Sequence, residues 1–174
     1  MSTDWQPLTW HVFHTLALNY NDKYKDHYIN FFETFRILIP CSTCRKHYNM
    51  NLNKISIHKN IKENNLFNWT IDLHNSVNKK TDRSQWSYDK SKIHYTKHNF
   101  DNNKLKDLVY LLIASNYKNT PLKTTKLIIF LKSIPYLIPN KNKRDKLIHF
   151  NEKFELKRIN FKKWLLAFIL ILRS

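Results

Sequence analysis

Trp69-Thr70-Ile71-Asp72-Leu73-His74-Asn75-Ser76-Val77-Asn78-Lys79-Lys80 reads as part of one helix with a mixed inner face. Leu66, Phe67, Ile71, His74 and Asn78 recur at helical spacing, as residues on one side of an α-helix do. A His and an Asn one turn apart on an otherwise apolar stripe carry two readings. Either they are core side chains satisfied by their own fold, or they are groups aimed at a ligand. The residues alone leave both open, and a facing site would favour the second.

Such a site lies upstream. Ile39-Pro40-Cys41-Ser42-Thr43-Cys44-Arg45-Lys46-His47 holds the only two cysteines of the 174 residues. Pro40 stops the apolar segment before it, so Cys41 and Cys44 fall in the first turn of the next helix. Unpaired N–H groups and the helix dipole there lower a thiol pKa, and Arg45, Lys46 and His47 add to the effect. The pair reads as a redox couple able to close a reducible disulfide, or as half of a metal site. In the zinc alternative the ligands are Cys41, Cys44 and His47 with a fourth such as His58 or His74, although no second CxxC knuckle accompanies them. Two buried cysteines packing as small hydrophobes are the plainest alternative.

Trp10, Phe13, Leu16, Ala17 and Tyr20 mark one amphipathic helix, and Tyr28, Phe31, Phe32, Phe35, Leu38 and Ile39 a second, both before the CxxC helix. Residues 51–60 form a polar stretch, and residues 81–102 are polar and aromatic without a clean period. Leu105, Leu108, Val109, Leu112 and Ile113 start another helical segment, followed by apolar runs at Leu127–Leu131 and Trp164–Leu172. Nine apolar residues fall short of the ~20 a membrane-crossing helix needs. The terminal run is expected to be a buried element first, then a partner-binding face or an interfacial anchor. Strands alternating with helices, which a thioredoxin-like fold requires, are missing around the CxxC.

Thirty basic against thirteen acidic residues give a formal charge of +17, while a 42% hydrophobic content suffices for a core. That charge attracts phosphates, anionic lipid surfaces or acidic partners. The interleaved aromatic and basic signature of a nucleic-acid module is missing, and a solvated lysine-rich surface accounts for most of the excess. With no glycine at all, the chain has no Rossmann fingerprint. Met1-Ser2-Thr3-Asp4-Trp5 has neither a basic region nor an apolar run, so the expected setting is cytoplasmic. Asn68-Trp69-Thr70 fits the glycosylation pattern, a chance match in that setting.

Three blocks together resemble the Erv/ALR-type FAD-linked sulfhydryl oxidases over roughly residues 6 to 90. Thr9-Trp10-His11-Val12-Phe13-His14-Thr15-Leu16-Ala17 is similar to the family's Trp-x-x-x-His-Thr-Leu segment, Pro40 to Cys44 to its Pro-Cys-x-x-Cys, and His74-Asn75-Ser76-Val77-Asn78 to its His-Asn-x-Val-Asn helix. The resemblance implies an all-α fold: a four-helix bundle with a short fifth helix holding FAD over residues 1–100, plus a mainly helical C-terminal extension over residues 101–174. It implies Cys41 and Cys44 as catalytic. Trp10, His14, Tyr20, His74, Asn75, Val77 and Asn78 would lie against the cofactor, with Lys80 and Arg83 meeting its pyrophosphate.

By the same resemblance, electrons pass from a protein dithiol or a redox relay protein through Cys41, the exchanging sulfur, to Cys44 beside the flavin. Oxygen is the final acceptor and hydrogen peroxide the product. A homodimer is implied as well, and the basic C-terminal half is a candidate for docking an anionic partner or a membrane surface. Similar compact enzymes occur in large cytoplasmic DNA viruses, which fits the cytoplasmic expectation. Three departures stand out. Gln6-Pro7 replaces the Gly-Arg that commonly precedes the first block. Ile71 and Tyr88 occupy the positions of a structural disulfide common in the family. No separate shuttle cysteine pair exists.

Overall fold

The structure, a computed structural model, describes residues 5–117 and 119–173. Every regular element among them is helical: α1 Trp5–Leu18, α2 Lys25–Leu38, α3 Ser42–Lys54, α4 Ile57–Lys62, α5 Leu66–Lys80, α6 Tyr88–Lys97, α7 Asn102–Asn116, α8 Pro121–Leu137, α9 Lys141–Lys153 and α10 Phe161–Arg173, with single 3-10 turns before α2 and α10. The helix starts are written locally. Ser56, Ser87, Asp101, Thr120 and Asn140 each accept a backbone N–H of the first turn, the role for which short polar side chains are suited. Pro121 opens α8 at a position that needs no N–H donor. Where glycine would ordinarily end a helix, Asn64 and Asp82 take the left-handed conformation after α4 and α5, with φ of 52° and 53°.

The bundle forms around α1. Phe13 is fully buried and meets Phe31, Phe32 and Phe35 of α2 edge-on at 5.7, 4.8 and 4.8 Å, an arrangement that aromatic quadrupoles favour. Helices α1, α2, α3 and α5 make the expected four-helix unit, with α4 closing one end and α6 lying against α1 and α5. The later helices share its core. Phe130 of α8 stacks on Phe31 at 4.5 Å, and the buried Asn116 side chain of α7 donates to the Leu38 carbonyl at 2.8 Å. Helix α10 turns Trp164 and Phe168 inward against α7 and α9. No helix among the described residues is long and apolar enough to cross a membrane.

Two short helices lie where the sequence reads as polar stretches. Helix α4 buries only Ile57 and Ile61, and α6 only Ser91 and Tyr95. One inward contact per turn for two turns makes no visible period. Helix α3 likewise runs on to Lys54 with Asn51 buried among Tyr48 and Leu52, and a polar residue on the inner face hides the stripe.

Candidate active site

Cys41 and Cys44 are joined as a disulfide, with Cα atoms 5.2 Å apart. Cys41 is the N-cap of α3, and its sulfur accepts the Cys44 N–H at 3.1 Å. Cys44, in the first turn, forms part of the wall of a cleft of about 100 Å³ whose other walls include Trp10, Phe13, Phe35, His47 and Val77. Cys41 does not line it. The Gln6 amide donates toward Cys44 Sγ at 3.9 Å, so the residue that departs from the family pattern touches the inner sulfur directly. Of the three basic residues after the pair, His47 lines the cleft and Lys46 is exposed. Arg45 directs its guanidinium to the Ile39 carbonyl at 2.8 Å.

A stack of three rings stands beside this cleft. Trp10 lies parallel to His74, centroids 4.2 Å apart, and near-parallel to His14 at 5.8 Å. The order within the stack is set by a buried hydroxyl. Thr70 Oγ1 donates to the Phe67 carbonyl at 2.7 Å. Its proton thus engaged, it accepts from His14 Nδ1–H at 2.9 Å. His14 Nε2 is then an acceptor and takes the proton of His74 Nδ1, also at 2.9 Å. This assignment, made from the hydrogen-bond network, leaves His74 Nε2 as a bare acceptor. Burial holds the His14 pKa well below the usual histidine value, helped by the adjacent His74. Burial, then the Arg83 charge, brings His74 down to about 4.

Both imidazoles are therefore neutral in the folded chain near pH 7, whereas an unfolded histidine takes up a proton below about 6.5. The unfolded state binds more protons in that range, so the stability supplied by the neutral pair is complete above about pH 6.5 and is lost as the pH falls toward 4. For His74 the linkage amounts to roughly 2–3 kcal/mol after allowance for its partial exposure. The urea midpoint is expected to drop through this window, and His74→Gln should flatten the drop. A His74→Gln profile parallel to that of the parent would contradict the assignment.

On the other side of Trp10 lies a more polar cleft of about 300 Å³, bordered by Gln6, His11, His74, Arg83 and Lys104 among others. Gln6 and Trp10 belong to both clefts. The Lys104 ammonium donates to His11 Nδ1 at 3.3 Å, which leaves His11 Nε2–H a buried donor without a well-formed hydrogen bond, and the Asn99 backbone gives the ring a weak one. Burial first and Lys104 second lower the His11 pKa. Arg83, Lys104 and the weakly partnered His11 donor make a set suited to an anionic, acceptor-rich group, and no acidic side chain lines either cleft among the described residues.

The other expected site residues are placed differently. Val77 lines the Cys44 cleft. Asn75 clamps Trp86 at both ends, its amide donating to the Trp86 carbonyl and accepting the Trp86 N–H, each at 2.8 Å. Asn78 donates to the Ser84 carbonyl at 2.9 Å. Tyr88 Oη donates to Asp72 at 2.7 Å, while Ile71 is buried. Where the resemblance expects a covalent tie, the loop between α5 and α6 is thus held by hydrogen bonds. Lys80 is exposed at the end of α5. Tyr20 lies apart from the ring stack, packed on Tyr28 at 4.9 Å and donating to Asp22 at 2.9 Å. For zinc, the ligands do not converge: no group of three or more His, Cys, Asp or Glu side chains able to hold a metal occurs among the described residues. His58 is exposed on α4, and His74 is engaged with His14.

Gln6, Thr70 and Lys104 are the functional candidates that sequence reasoning passes over. The Lys104–His11 pair spans 93 residues, and nothing in a linear pattern couples them.

Comparison with known proteins agrees with this geometry. A probable FAD-linked sulfhydryl oxidase of Acanthamoeba polyphaga mimivirus is 34% identical over 90 residues, covering 48% of this chain and 63% of the relative. The chain thus spans less than two thirds of that relative's length. No solved structure gives a significant match. The Erv1 / Alr family profile matches residues 7–106, a span holding the cysteine pair, the ring stack and every wall residue of the two clefts except Trp5 and Gln6. The chain therefore belongs to the Erv1 / Alr family.

Proposed function

We propose that this chain is an FAD-dependent sulfhydryl oxidase that makes disulfides in protein dithiols and delivers the electrons to oxygen. The observation that carries this reading is the position of Cys44, which belongs to the wall of an apolar slot that its disulfide partner Cys41 does not line. The residues present suit the cofactor. An isoalloxazine needs an apolar slot with few polar groups, and a dinucleotide needs stacking rings and cations for its phosphates. The Cys44 cleft with Val77 meets the first need, and Trp10 and His74 with Arg83 and Lys104 the second, while His14 is fully buried behind them and lines neither cleft.

In the proposed reaction a substrate thiolate attacks Cys41 Sγ. The Cys41–Cys44 bond breaks, a Cys41–substrate disulfide forms, and Cys44 leaves as a thiolate. The second substrate thiolate then attacks the substrate sulfur of that mixed disulfide, closing the substrate disulfide and freeing Cys41. Placement of both sulfurs at the N-terminal end of α3, Cys41 at the N-cap and Cys44 in the first turn, favours their anionic forms. The Gln6 amide offers the Cys44 thiolate a further donor. FAD held against Val77 and Trp10 would supply the two-electron acceptor for Cys44, with oxygen and two protons as the route to hydrogen peroxide. Loss of two electrons through Cys44 restores the disulfide. A homodimer belongs to this reading too, with either the protein dithiol itself or a redox relay protein delivering electrons to Cys41.

The test is the visible spectrum of the purified protein, followed by dithiothreitol in air with oxygen uptake recorded. Flavin absorbance that bleaches with thiol and returns with oxygen is the expected result. A protein that neither carries nor takes up FAD overturns the reading.

A further inference from the structure

We propose that the outward face of α10 docks on an anionic lipid surface. The helix is two-sided. Phe161, Trp164, Phe168, Ile169 and Leu172 are buried, whereas Leu166 and Leu170 are 65% and 58% exposed and Ile159, in the turn just before, is 95% exposed. At 3.6 residues per turn, Lys162, Lys163, Leu166, Leu170 and Arg173 fall within an arc of about 100°. The leucines lie at the middle of that arc and the cations at its margins.

The charges on the strip itself have one sign. Arg158, Lys162, Lys163 and Arg173 are exposed and have no acidic partner among the described residues. The nearby Glu155 is already neutralised by Lys132 at 3.0 Å and Lys157 at 3.3 Å. Aliphatic side chains framed by lysines match the boundary between lipid headgroups and acyl chains, where the leucines enter the apolar layer and the ammonium groups stay with the phosphates.

The competing occupants fit less well. A second copy docked by this same strip would set Lys162, Lys163 and Arg173 against their own counterparts, like charges face to face. Three aliphatic side chains also offer far less than the ~800 Å² per partner of a stable protein interface. A nucleic acid would meet the cations, but leucines give its bases no stacking surface. A membrane surface uses both halves of the pattern, the aliphatic centre and the cationic margin. The proposal is independent of the redox reading, since no residue of the strip lines either cleft.

The experiment is co-sedimentation of the full chain with vesicles of phosphatidylcholine alone and of phosphatidylcholine with about 30% phosphatidylserine, a source of anionic surface potential. Binding only to the anionic vesicles is expected. Lys162→Gln/Lys163→Gln should weaken it at least tenfold, and so should Leu166→Glu/Leu170→Glu. Because these side chains are exposed, both variants should keep the helical circular dichroism and melting temperature of the parent. Absence of binding to anionic vesicles overturns the proposal. So does binding that the leucine substitutions leave intact, which would reduce it to nonspecific charge, or a dimer that dissociates when the leucines are replaced.

Discussion

Phe130→Ala is expected to destabilise the chain by about 3–5 kcal/mol, the usual cost of removing a buried phenylalanine ring, and to loosen both halves together. The Phe130 side chain is fully buried on α8, stacks on Phe31 and lies 6.3 Å from Phe35 on α2. Phe31 and Phe35 in turn hold Phe13 of α1, and Phe13 and Phe35 line the cleft at Cys44. A void opened at Phe130 thus adjoins rings that shape the proposed flavin slot. Against a typical domain stability of about 5–15 kcal/mol, the loss is a large fraction. Urea denaturation with amide hydrogen exchange measures it. Amides of α1 and α5 should lose protection along with those of α8. If α1 and α5 keep their protection while α8–α10 loosen, the two halves are separate units and this account of the core fails. By the same reasoning, a chain cut after residue 100 would expose Phe31 and Leu38 and should bind a hydrophobic dye.

The parts of the fold legible in the sequence are those in which a helix buries a continuous apolar stripe. The aromatic run on α2 and the Leu66 to Asn78 stripe on α5 are of this kind, and Pro40 marks the start of α3 by simple steric exclusion. Tyr20 marks where such a stripe runs out. It continues the spacing of Trp10 and Phe13, but α1 ends at Leu18, so its ring swings to Tyr28 instead of the site. Asn75 exposes a different limit. A helix pattern places the residue one position after His74 but cannot say that its amide is engaged by the backbone at Trp86. The cationic cleft was hidden for a third reason. The resemblance points to Arg83, but Lys104 looks like any other surface cation in a chain with thirty of them, and only the packing of α1 against α6 and α7 gathers His11, Arg83 and Lys104 around Trp10.

Cys44→Ser should lower dithiol-driven oxygen uptake by about three orders of magnitude or more, as expected for loss of a reacting nucleophile, without loss of FAD. Cofactor retention follows because the ring stack and the cations of the polar cleft owe nothing to the sulfur: His14 is held by Thr70 and His74, and Lys104 by His11. Cys41→Ser should also stop turnover, since it removes the sulfur that exchanges with substrate, but the two variants are not equivalent. With Cys41 replaced, a Cys44 thiolate remains in the slot wall, beside the Gln6 amide and in the first turn of α3. An anionic sulfur next to an electron-poor ring produces long-wavelength absorbance, so the FAD-loaded Cys41→Ser protein should show such a band at neutral pH and lose it in acid as the thiolate is protonated. Cys44→Ser leaves its sulfur at the N-cap, outside the slot, and should show none. The comparison separates position from reactivity, because both cysteines sit at the same helix end and gain from the same dipole. Equal bands in the two variants, or a band in Cys44→Ser alone, would reverse the assignment of the inner and outer sulfur and with it the direction of electron flow through the pair.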